Sequence, residues 1–95
     1  PEFPGGMGEC MKWLGKNIKY PTIAQENGVQ GRVIVQFVVT KEGNIEEPVV
    51  ANGVDPYLDA EALRVIKAMP KWKPGKQRGK EVNVKYTLPI HFRLQ

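Results

Sequence analysis

The chain has 95 residues, room for one small domain, and its 41% apolar and 25% charged content is ordinary for a globular fold. No apolar run approaches the ~18 residues a membrane-crossing helix needs, no signal peptide is visible, and a lone cysteine, Cys10, excludes an internal disulfide or a Cys-based zinc site. The net charge of +4 is uneven: Lys67, Lys71, Lys73, Lys76, Arg78, Lys80 and Lys85 are opposed in their stretch only by Glu81. No aromatic ladder or nucleic-acid motif accompanies that run, so it reads as a solvated basic loop or a surface for an anionic partner rather than a nucleic-acid site.

Residues 1–6, PEFPGG, read as a linker, and 7–95 as one domain. The opening lacks an initiator Met, which fits a piece of a longer protein. Met7, Cys10, Met11, Leu14 and Ile18 then recur at helical spacing. Tyr20-Pro21 stops that helix, and Pro21 suits the first turn of a second, short one that runs to about Asn27 with Gly28 as its C-terminal cap. A first strand over 32–40 puts Val33, Val35, Phe37 and Val39 on one face. TKEGNI is a tight hairpin loop with Gly43 at positive φ, and a second strand, containing Pro48, follows at about 44–51. Asp55 caps a helix over 55–69, Pro56 takes its first turn, Leu58, Ala62, Val65, Ile66 and Met69 form its buried stripe, and Pro70 ends it. The basic stretch KWKPGKQRGKE leads into the last strand, 82–94, where apolar and polar residues alternate but Pro89 interrupts.

The prolines order the sheet. Proline cannot donate to a ladder, so it belongs on an edge. The first strand has none and should be central. The expectation is an α+β fold with a three-stranded antiparallel-type mixed sheet, order 2-1-3. The helix at 55–69 crosses over in the right-handed sense, and the helices cover the face made by Val33, Val35, Phe37, Val84, Tyr86, Leu88 and Ile90. A strand of that length spans ~43 Å against ~30 Å for the first strand, so part of it should overhang. The open edge reads in two ways. Pro89, Lys85 and Arg93 can be guards against aggregation, or the edge can receive an extended peptide by strand addition, with Asn83, Lys85 and Thr87 as the usable stretch.

YPTIAQENGVQGRVIVQFVVTKEGNI, DAEALRVIKAMPKWKPG and VNVKYTLPIHFRL together resemble the TonB C-terminal domain family over about residues 19–94, in a form similar to its Bacteroidota members. The most specific parts are Tyr20-Pro21, Ala24, Gly31, and Trp72 with Pro74-Gly75, in order. The resemblance implies a non-enzymatic periplasmic domain of an inner-membrane-anchored energy transducer, driven by ExbB and ExbD, in a Gram-negative bacterium. It implies binding of the TonB box of outer-membrane receptors beside Val82, Asn83, Val84, Lys85, Tyr86, Thr87 and Leu88, with Gln25 nearby, and force transmission for import of siderophores, vitamin B12 or glycans. Where the family's short helix continues with apolar and basic residues, this chain has Glu26-Asn27-Gly28. The same resemblance extends to TonB-like domains on membrane-anchored, antibiotic-sensing metallopeptidase receptors, the competing sensor reading. No cofactor, metal or nucleic acid is expected, any membrane contact would come through an absent N-terminal anchor, and the open edge also permits a homodimer. One histidine, one cysteine and two aspartates are poor material for a catalytic site. Trp72 reads as a loop anchor on the core, with a peptide-contact platform as its alternative.

Overall fold

A run rich in β-branched residues from Gly31 to Val39 makes β1, the strand on which the rest assembles. In the computed structural model, which describes residues 1–94, Val33, Val35, Phe37 and Val39 are all buried on one face of it. Two helices precede it, α1 (Met7–Asn17) and α2 (Thr22–Glu26). After it come β2 (Ile45–Asn52), α3 (Pro56–Lys67), β3 (Gly75–Gln77), β4 (Lys80–Val82) and β5 (Val84–Phe92). The main sheet has the order β2-β1-β5, with β1 antiparallel to both neighbours. This is the 2-1-3 order expected from the prolines. The helices lie on one face, over a core that runs from Leu14 and Ala24 through α3 to Leu88, Ile90 and Phe92.

Each proline has a local solution. Pro48 sits where two residues of β2, Glu47 and Pro48, face Phe37 alone, between the pairs Gln36–Val49 and Val38–Glu46. That is a bulge, and Glu47 carries its irregular backbone at φ 51°. Pro89 instead lies in an unbroken register, opposite Ile34. Asp55 caps α3 as expected, its carboxylate accepting from the Tyr57 and Leu58 amides at 2.9 and 3.0 Å. At the end of α2 the Val29 amide donates to the Ala24 carbonyl and the Gly28 amide to that of Gln25. With Gly28 at φ 67°, these two bonds make a Schellman cap.

Three expectations need correction. The last strand does not run unbroken over 82–94. Asn83 separates β4 from β5, and its side-chain oxygen accepts from the Lys41 amide at 2.7 Å. Consequently β5 matches β1 residue for residue and does not overhang it. Second, the basic stretch is not a structureless loop. Gly75–Gln77 and Lys80–Val82 pair as a hairpin whose turn residues, Arg78 and Gly79, both have positive φ, 53° and 78°, as a type I′ turn requires. Third, α1 buries Cys10 and Leu14, while Met7 and Met11 are 43% and 42% exposed. Trp13 takes up their packing role from the neighbouring helical position.

Residues 1–6, expected as a linker from their prolines and glycines, lie against the domain. The Glu2 and Lys73 backbones exchange hydrogen bonds of 2.9 and 2.7 Å. Phe3 is 5% exposed, its ring centroid 6.2 Å from that of Trp13 and 5.9 Å from that of Trp72.

Candidate functional site: the outer edge of the last strand

Within the main sheet, β5 has a strand on one side only, among the described residues. The direction of its free backbone groups follows from Pro89. In an antiparallel pair, opposed residues alternate between exchanging two hydrogen bonds and exchanging none. Pro89 has no N–H, so its pairing with Ile34 sustains a regular ladder only as the non-bonded type. By the same alternation Lys85, Thr87 and His91, opposite Val38, Gln36 and Arg32, turn their N–H and C=O groups away from β1. Val84, Tyr86, Leu88, Ile90 and Phe92 then hold the strand to the sheet. The proline occupies the one row where it removes no internal bond.

The expected contact residues separate into groups. Val82 belongs to β4, opposite Gly75, and Asn83 is anchored to the β1–β2 loop. Val84 and Tyr86 are half-buried and Leu88 is buried, so these three contribute mainly to the sheet and core. Lys85 and Thr87 are exposed members of the outward row. Gln25 is exposed on α2. The chain leading to α2 packs at the opposite end of β5 from Val82, since the Tyr20 ring meets Phe92 edge-on at 5.7 Å. Val82 thus lies toward the Val84 end of β5 and the approach to α2 toward the Phe92 end, so Gln25 and Val82 do not form one cluster.

The residues of the specific motif are structural. Tyr20 donates its hydroxyl to the Val29 carbonyl, holding the approach to β1. Pro21 is the N-cap of α2, and Ala24, 1% exposed, is its core contact. A Cβ on Gly31 would stand 2.9 Å from Val54 Cγ2. Trp72 is 3% exposed, with ring centroids 5.5 Å from Phe37 and 5.0 Å from Tyr86. It is a core anchor and offers no platform to a ligand. Its amide donates to the Gly43 carbonyl at 2.9 Å, and a Cβ on Gly43 would stand 2.2 Å from the Trp72 carbonyl oxygen. Gly43, at φ 87°, is thus required by its turn and by close approach alike. A Cβ on Gly75 would stand 2.6 Å from Val84 Cγ2, and the half-buried Pro74 precedes it at the hairpin base.

Sequence reasoning overlooked Glu61, a carboxylate 9% exposed on α3. It accepts from the Lys19 amide at 2.7 Å and from Arg64 Nε and Nη2 at 2.6 and 2.7 Å. Arg64 Nη2 also reaches the Asn17 carbonyl at 2.9 Å, tying the end of α1 to α3. Burial alone would raise the Glu61 carboxyl, but the Arg64 and Lys19 hydrogen bonds outweigh it and hold the group below the usual carboxylate range. The spacing of Glu61 and Arg64 on one helix face was the available signal. Cys10 is wholly buried, and burial pushes its thiol up.

Comparison with known proteins identifies the family and the fold. The family described as Gram-negative bacterial TonB protein C-terminal matches residues 16–94. The TonB protein of Pseudomonas aeruginosa is 33% identical over 78 residues, which make up 80% of this chain and 22% of that protein. The TonB protein of Vibrio cholerae is 31% identical over 78 residues, 81% of this chain and 32% of its own length. The chain therefore spans a third or less of these curated relatives. Among solved structures, the solution structure of the P. aeruginosa TonB C-terminal domain superposes with a TM-score of 0.66 at 29% identity, covering 81% of this chain and 78% of that one. A Helicobacter pylori TonB C-terminal domain gives 0.68 at 23% identity, covering 90% and 77%, a likeness of fold.

Proposed function

We propose a function from one premise: the chain belongs to the TonB C-terminal family, a non-enzymatic transducer domain. The outward row of β5 receives an extended segment from an outer-membrane TonB-dependent receptor, its TonB box, as an added strand. The domain works in the periplasm of a Gram-negative bacterium, on an inner-membrane-anchored protein coupled to ExbB and ExbD, and transmits force that opens the receptor to nutrients such as siderophores, vitamin B12 or glycans. The observation that carries this reading is the vacant edge of β5, with its proline confined to the row that faces outward.

The energetics suit a grip that forms and releases. Lys85 and Thr87 offer one donor and one acceptor each before Pro89 interrupts. At ~0.5–1.5 kcal/mol per bond, about four bonds give ~2–6 kcal/mol before the cost of ordering the peptide, which leaves contact at roughly tens of micromolar or weaker.

The test is an NMR titration with N-terminal peptides of receptors from the same genome. Binding should shift the Lys85 and Thr87 amides and protect them from exchange, with little change in β2. Shifts confined to β2, or none with any receptor peptide, would refute strand addition at β5.

A further inference from the structure

The first six residues are held to the domain in an unusual way. Glu2 and Lys73 form a bridge of one residue pair, closed by two backbone hydrogen bonds. The sequence itself limits the bridge to that pair. Along an antiparallel ladder only alternate residues turn their donors toward the partner. The next such residue after Glu2 is Pro4, which has no N–H to give. The Glu2–Lys73 ion pair is long at 4.0 Å and largely exposed, so it adds little. Beyond Pro4, Gly5 and Gly6 stand at φ 86° and 91°, and the Gly6 amide donates to the Phe3 carbonyl at 2.7 Å. This turn reverses the chain into α1 and carries no side chain that would resist straightening. By contrast β1 and β5 face each other along the whole length of both strands. Two backbone bonds are all that stand between a pull at Pro1 and the Phe3 ring.

What Phe3 touches matters for β5. It meets Trp72 edge-on at 5.9 Å, and Trp72 meets Tyr86 at 5.0 Å. A second contact runs in parallel. The Cβ position on Gly75 that meets Val84 lies 3.3 Å from Pro1 Cδ. Through Trp72 and Gly75, the opening segment therefore bears on Tyr86 and Val84, the first two residues that β5 turns toward β1. These flank Lys85, where the outward row begins.

We propose that residues 1–6 are a tension-released strap on β5. Load arriving at Pro1 opens the Glu2–Lys73 bridge, draws Phe3 from between Trp13 and Trp72, and loosens the start of β5 while the sheet stays folded. This rests on the transducer reading above, in which load reaches the domain through chain upstream of Pro1, and it adds the place where that load acts first. With the strap seated, Trp72 is held against Tyr86 and the edge is firm for its guest. With the strap drawn, the guest is let go before the domain unfolds. Linkage makes the coupling reciprocal, so a guest on β5 favours the seated strap to the same degree.

The test pulls the full chain by its two ends in an optical trap. We expect a reversible step at lower force than the main unfolding event, releasing about six residues, or roughly 20 Å of contour. A clamp variant, Glu2→Cys with Lys73→Cys, controls for it, since a hydrogen-bonded antiparallel pair has its Cα atoms about 5.5 Å apart, within disulfide reach. The step should vanish when the clamp is oxidised and return on reduction. A native chain with no step before unfolding, or a step that survives the oxidised clamp, overturns the strap. Amide exchange tests the coupling without any guest. In Phe3→Ala the Val84 and Tyr86 amides should exchange about tenfold faster relative to those of the β1–β2 ladder. Uniform acceleration across all ladders makes Phe3 an ordinary core residue and overturns the coupling. Receptor peptides that shift Lys85 and Thr87 should bind the oxidised clamp more tightly than Phe3→Ala, and equal affinity overturns control of the guest. If no peptide binds either form, strand addition fails, while the pulling step and the exchange pattern still decide the strap.

Discussion

Glu61 shows how much one buried carboxylate can organise. It joins the loop after α1 to α3 through the Lys19 amide and the Arg64 guanidinium. Glu61→Ala strands that amide, and should lower stability by about 1–3 kcal/mol in urea unfolding. Its pH dependence has a definite sign. A carboxyl whose folded value is depressed stabilises the fold fully above its unfolded pKa of about 4.3. That contribution is lost as pH falls through the lower folded value. The native chain should therefore lose stability below about pH 4 more steeply than Glu61→Gln, read as denaturant midpoint against pH. Gly43 is the other single residue with little freedom. Gly43→Ala meets both a left-handed φ and the Trp72 carbonyl, and should cost at least about 2 kcal/mol. Cys10, sealed in the core, should react with thiol reagents only at the rate of unfolding. Prompt labelling of the native chain would show that α1 opens independently.

Among the elements, the strands and α3 were readable because their signals are local and redundant. Asp55-Pro56, the stripe from Leu58 to Met69, and the alternation from Val33 to Val39 each carry their own geometry. Proline placement added topology, since the one proline-free strand of the main sheet is central. The β3–β4 hairpin escaped notice because its turn is Arg78-Gly79 in place of the usual Asn-Gly, inside a run of lysines that looks solvated. The break at Asn83 escaped because Val82 and Val84 keep perfect alternation across it. Only the long-range bond to Lys41 ends the strand there. The candidate edge was legible through Pro89. The separation of Gln25 from Val82 was not, because it depends on where α2 docks.

At the scale of the whole molecule, the extents of 49 × 23 × 16 Å describe an elongated body. A nine-residue strand such as β5 spans only ~30 Å, so the fold extends well beyond the length of its main strands. Phe3 was the residue least predictable from sequence, since PEFPGG has the composition of a spacer and only the aromatic slot between Trp13 and Trp72 gives the phenyl ring a place. Phe3→Ala should cost about 3 kcal/mol, read as a lower thermal midpoint, and deleting residues 1–5 should cost a similar amount. No change on deletion would mean that the segment merely rests on the surface.

Trp72 carries one more consequence. Its indole Nε1 is buried without a hydrogen-bond partner among the described residues, while Trp13, the second of the chain's two tryptophans, is only partly covered. An indole in such dry surroundings fluoresces at shorter wavelength than one facing water. Because Trp72 touches Tyr86 on β5, its emission is a built-in optical gauge, placed to register a guest settling on that strand without any attached dye.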